Sequence, residues 1–251
     1  MVQKSFSFGY HYENKHFISD YAFQSLAAAF PTKSGTIGAG FGFYGNANYN
    51  ESKISLAFAK PFGDKLSAGI QFDYLAIGQM EEYGNAATLV VEGGVLYKPI
   101  ESISFGFHIY NPTQSAFRPS INERTPLIFE AGAGFDIGNK LLIVTEVEKN
   151  MDYIFVYKTG AEYKLIESVH LRAAVSTFKY STYSFGLGFS QKKIKADIAF
   201  SHQPHTRLYS LFLIQLHFRE NRLTGHWNFL IFNNLNQFAS INRCRKLRFN
   251  L

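Results

Sequence analysis

Cysteine is nearly missing from this 251-residue chain. Cys244 is the only one, so neither an intramolecular disulfide nor a multi-cysteine metal site can form. Long apolar runs are missing too: nothing approaches the roughly 18 consecutive apolar residues of a spanning helix. A helical membrane protein is excluded, but a barrel is not, because its strands turn only alternate residues to lipid. Charge is sparse at 18% of residues, and what net charge there is (+6) sits almost wholly after Phe218. There Arg219, Arg222, Arg243, Arg245, Lys246 and Arg248 face Glu220 alone. The body of the chain therefore has no basic face with which to hold nucleic acid. GxSxG, HExxH and P-loop signatures are absent, so nothing in the sequence argues for an enzyme, and no cofactor is implied. His202-x-x-His205 lacks a third ligand and reads as surface rather than as a metal site.

What the chain has in abundance is Phe (26), Tyr (15) and Gly (20), a composition that favours strands over helices. The residues alternate by twos. Leu66, Ala68, Ile70, Phe72 and Tyr74 interleave with Ser67, Gly69, Gln71 and Asp73, and Phe129 to Ile137 and Tyr183 to Ser190 repeat the pattern. Period two over about ten residues, followed by a turn, predicts strands. Fourteen are expected, over 3–12, 17–30, 35–45, 51–60, 64–78, 86–98, 102–111, 126–137, 140–149, 153–164, 168–177, 181–190, 193–202 and 207–218.

One stretch, GTIGAGFGFYG at 35–45, contains Gly40-x-Gly42-x-x-Gly45, the spacing of a dinucleotide-binding loop. Such a loop must open a helix. The residues that follow, Asn46 to Ser52, are turn formers without helical periodicity. By twos, Ile37, Ala39, Phe41 and Phe43 make one greasy face, and the glycines make a bare one.

The connections alternate as well. Tight turns at Pro31–Ser34, Pro61–Asp64, Pro99–Glu101, Gly138–Asn139, Leu165–Glu167 and Gln191–Lys192 interleave with a second set. That set includes wider loops at Gly45–Asn50, Gln79–Asn85 and Asn111–Thr125, the last without a strand pattern. Tight turns at one end and wider loops at the other are how outer-membrane barrels are connected. A soluble sandwich or barrel would show the same periodicity with its apolar face inward. Three features favour the membrane: strands of spanning length, tyrosines recurring at strand ends (Tyr44, Tyr74, Tyr97, Tyr110), and a second face poor in charge. The expected fold is all-β: an antiparallel transmembrane up-and-down β-barrel of about 14 strands over residues 1–218, with a basic non-barrel tail over 219–251.

On the predicted lumen face, Glu146 should lie opposite Lys158, and Glu162 opposite Arg172, if the turns centre near residues 152 and 167. Opposite charges across neighbouring strands hold register. Such a ladder either lines a polar permeation path or simply neutralises and closes the interior.

With the strands placed, SLAAAFPTKSGTIGAGFGFYG, NESKISLAFAKPFGDKLSAGIQFDYL and FGFHIYNP resemble PorV/PorQ-like outer-membrane proteins, relatives of the FadL-type long-chain fatty-acid channels. The resemblance spans roughly residues 5 to 218. It implies a 14-strand barrel in the outer membrane of a Gram-negative cell. It also implies uptake of hydrophobic compounds or service in type IX protein secretion, and it brings no catalytic residues. The implied partners are outer-membrane lipid and either hydrophobic small molecules or secretion-system proteins. Family members begin with a signal peptide and a hatch segment, often carrying Asn-Pro-Ala; neither pattern is seen here, so an N-terminally truncated barrel is expected. They end on a strand-terminal aromatic, a role that falls to Phe218 as an assembly signal.

Overall fold

The structure is a computed structural model and describes residues 6–14, 22–79, 84–118, 123–178, 181–202 and 209–217. Alternation dominates these segments, and they form strands joined without a helix among the described residues. The first seven are β1 (Ser7–Asn14), β2 (Ala22–Pro31), β3 (Thr36–Gly45), β4 (Tyr49–Phe62), β5 (Leu66–Gln79), β6 (Ala86–Ile100) and β7 (Ile103–Tyr110). A short hairpin follows, β8 (Ala116–Arg118) and β9 (Glu123–Arg124). The second series is β10 (Ile128–Ile137), β11 (Leu141–Asn150), β12 (Phe155–Ile166), β13 (Val169–Thr177), β14 (Ser181–Gln191), β15 (Ile194–His202) and β16 (Tyr209–His217).

Each of these strands, the hairpin apart, pairs antiparallel with its chain neighbour, and β7 pairs with β10 across the hairpin. The order returns to its start because β1 pairs with β2 on one side and β16 on the other, closing the barrel. Closure leaves no sheet edge with unpaired backbone groups. The expected strands thus appear in number and place, with ends displaced by a few residues.

Turn chemistry explains the tight end. Gly138 (φ 61) and Asn139 (φ 56) both adopt the left-handed conformation that a mirror-image hairpin turn requires. Two connections differ from expectation. The Gly45–Asn50 loop shrinks to three residues, because the Asn46 side-chain oxygen accepts the N–H groups of Asn48 (2.9 Å) and Tyr49 (3.1 Å) and folds the chain straight into β4. The strand that follows Gly45 stands where a nucleotide loop would need a helix. The Asn111–Thr125 loop carries the β8–β9 hairpin and is pinned by buried Asn111 in the left-handed region (φ 53). That side chain donates to the Thr125 carbonyl at 2.8 Å and accepts the Ser115 N–H at 2.9 Å.

The barrel is inside out relative to a soluble protein. Phe41, Phe72 and Phe107 are 45%, 53% and 47% exposed, in company with Phe30, Leu56, Leu89, Tyr157 and Phe185 around the perimeter. Buried positions are instead rich in polar and charged groups: His11, Ser25, Glu51, Lys53, Asp73, Glu92 and His108. Among the described residues a hydrophobic cluster is inside as well, at the wide-loop end. There Phe23, Leu75, Val90, Tyr110 and Ile128 meet, and Phe117 of the β8–β9 hairpin packs onto them. Phe218, His205 and the 219–251 tail with Trp227 and Cys244 lie outside the described residues.

Candidate functional site

The site is the inner wall, and alternation builds it. On each strand every second residue points inward, so the inner face of β3 is Gly38, Gly40 and Gly42, and that of β4 is Glu51, Lys53, Ser55 and Ala57. The bare glycine face is occupied by neighbours: a Cβ on Gly42 would sit 3.3 Å from the Phe23 ring. The ring of a core residue fills the slot the glycine leaves.

Charged groups form a belt running across the strands. Lys53 of β4 lies 2.9 Å from Asp73 of β5 and 2.9 Å from Glu92 of β6, spanning two inter-strand gaps. The other Glu92 oxygen meets His108 Nε2 of β7 at 3.2 Å, and His108 Nδ1 meets Glu130 of β10 at 3.0 Å. Gly94 sits opposite His108, and a side chain there would approach the imidazole. Carboxylate oxygens of Glu130, Glu146 and Glu148 lie within 4.8 Å of one another. Lys158 of β12 supplies the cation for the last two, with Nζ 2.7 Å from each.

A second centre repeats the theme on the far wall. Arg172 of β13 binds Glu162 of β12 at 2.6 Å and Asp197 of β15 at 2.5 Å, the latter across β14. That reach depends on Gly188, whose Cβ would lie 2.6 Å from the Asp197 carboxylate and 3.0 Å from the guanidinium. The register sets Glu146 opposite Lys158 and Glu162 opposite Arg172.

Sequence reasoning named Glu146, Lys158, Glu162 and Arg172 and did not foresee the Lys53–Asp73–Glu92–His108–Glu130 portion. A signal for it exists. Five consecutive barrel strands, β4, β5, β6, β7 and β10, each place an ionisable residue on the inner phase, at 53, 73, 92, 108 and 130. On the far wall, His170 lies opposite Gly188 on the inner face of β13, and His202 ends β15 exposed.

Burial differs sharply between the two centres. Lys53, Asp73 and Glu92 side chains are 1%, 0% and 1% exposed, whereas Lys158, Arg172 and Glu162 are 35%, 39% and 32% exposed. The first centre is dry. The second is part open, and on the inner side of the barrel, since the outward positions of these strands carry Tyr157, Tyr163 and Leu171.

No protein-family model matches the sequence, and no curated protein does. Solved structures do match. The P. putida toluene transporter TodX superposes with a TM-score of 0.66 at 10% identity, over 88% of this chain and 92% of that one. The CymD monoaromatic hydrocarbon channel gives 0.62 at 11% identity, over 88% and 90%. At such identities the likeness speaks for the fold alone.

Proposed function

We propose that this chain is a FadL-like outer-membrane β-barrel that admits small hydrophobic solutes. One observation carries the reading: large apolar side chains stand exposed around the outer perimeter while lysine, glutamate and histidine are enclosed. In water that arrangement would leave hydrocarbon surface far beyond the few hundred Å² that soluble monomers show. In a bilayer the same surface is favourable. For the solute class, the interior cluster of Phe23, Leu75, Val90, Tyr110 and Ile128 gives an apolar molecule a compatible surface at the wide-loop end. The two structural neighbours are named for hydrocarbons, which accords with this reading.

Toluene uptake into proteoliposomes, set beside the fractionation of the expressed chain, tests it. The expected result is an outer-membrane, heat-modifiable protein that raises uptake above empty liposomes. A chain that stays in the supernatant after high-speed centrifugation overturns the barrel reading. Folded barrel without uptake overturns the solute reading. If secretion components then co-purify with it, the export role implied by the PorV/PorQ resemblance takes its place.

A further inference from the structure

We propose that the barrel also conducts small inorganic ions, through a hydrated lane along the inner faces of β12 to β15. This rests on the membrane-barrel reading above but not on the hydrophobic solute. Four observations carry it. Lys158, Glu162 and Arg172 keep about a third of their side-chain surface open, and their partners Glu146, Glu148 and Asp197 keep 17%, 13% and 13%, although all lie on the enclosed side of the sheet. An ion pair closed off from water must meet a desolvation cost of several kcal/mol per ion; these pairs have not been closed off. Next, the residues between them are small: Gly160, Ala174, Ser176, Ser184 and Gly186 all fall on the inward phase. Between the ion pairs, these five positions put little side-chain volume into the space.

The pairing is also lateral. Arg172 reaches Glu162 and Asp197, and Lys158 reaches Glu146 and Glu148, all along the same curved wall. None of these four contacts bridges to the β4–β6 side, so the pairs line the space without crossing it. Finally, the lane presents both signs of charge at successive positions, which gives a permeating ion weak, multiple stations rather than one deep trap. The opposite wall offers no such route, because Lys53, Asp73 and Glu92 are buried, with Leu75 beside Lys53, Val90 beside Asp73 and the Tyr110 ring against the Lys53 ammonium.

Planar-bilayer recording in KCl with cysteine modification tests this in a Cys244→Ser background. Ser176→Cys and Ala174→Cys place a thiol in the lane, and Ser55→Cys and Ser67→Cys place one on the dry wall, where the native serines are 5% and 3% exposed. Only heat-modifiable, folded protein is reconstituted. Adding a charged methanethiosulfonate reagent should lower conductance in either lane variant and leave both dry-wall variants unchanged. Arg172→Gln should shift the K⁺/Cl⁻ permeability ratio towards K⁺. Folded barrels that take up toluene but carry no current would overturn the lane and spare the proposed function. Equal modification at Ser67→Cys and Ser176→Cys would overturn its placement. Current without toluene uptake would uphold the lane and remove the hydrophobic solute.

Discussion

Two walls of this barrel contain nearly the same chemical device. On one, Lys53 is clasped by Asp73 and Glu92 from the next two strands; on the other, Arg172 is clasped by Glu162 from the adjacent β12 and by Asp197 from β15, beyond β14. Geometry and distance scarcely separate them. Cover does. Lys53 lies against Tyr110, with its ammonium 5.8 Å from the ring centroid, and buried Leu75 and Val90 stand opposite Lys53 and Asp73. Arg172 has glycines at 186 and 188 for neighbours and stays open to the lumen. The dry centre behaves as a structural lock, because water has no access with which to replace its ion pairs. The wet centre has water as a standing alternative, so its pairs are weak in energy and free to meet a passing solute. Burial, not pairing, assigns the roles.

The sharpest way to break this contrast is to remove the cation from the dry wall. Lys53→Met takes the shared cation from between Asp73 and Glu92, leaving only His108 beside Glu92, and should cost about 3–5 kcal/mol. Urea unfolding of the reconstituted barrel, followed by gel mobility, would read it; a loss no greater than that of Arg172→Ala would erase the distinction. Truncating the apolar cover comes next. Phe23→Ala empties the slot over Gly42 and should cost about 3 kcal/mol in the same assay, with toluene uptake altered at the same time. If stability is unchanged, the cluster is not a packed core.

Smaller effects sharpen the wet side. Arg172→Ala should cost about 1 kcal/mol or less, since lumen water takes over the freed carboxylates. Gly188→Ala pushes a methyl into the path of the Arg172–Asp197 contact and should cost a similar amount. Because both changes break one interaction, their double mutant should be no worse than either alone, which a double-mutant cycle measures. Simple additivity would show that Gly188 serves something other than that contact.

Much of this was legible because barrels are local. Strand pairing is between chain neighbours, so alternation plus turn positions is enough to place Glu146 near Lys158 and Glu162 near Arg172. The Lys53–Glu92 contact was harder to see, because it passes over an intervening strand and joins residues 39 apart. Nothing in a pairwise reading of adjacent strands points to it. His108 escaped notice for a related reason: its two carboxylate partners sit on β6 and β10, and β10 adjoins β7 only because the β8–β9 segment leaves the barrel sheet and pairs with itself. The Gly45–Asn50 connection looked wide because Asn, Gly and Asn suit both loops and tight turns, and only the Asn46 side-chain hydrogen bonds make it tight.

By itself the sequence determined the strands, their order and which face of each is oily, because a two-residue period and left-handed turn residues are properties of the local chain. Only the tertiary structure decided which charged clusters are sealed and which are wet. That depends on how Phe23, Tyr110 and the Phe117 hairpin fill one side of the closed barrel and leave the other open, and such filling is a property of the volume the strands enclose together.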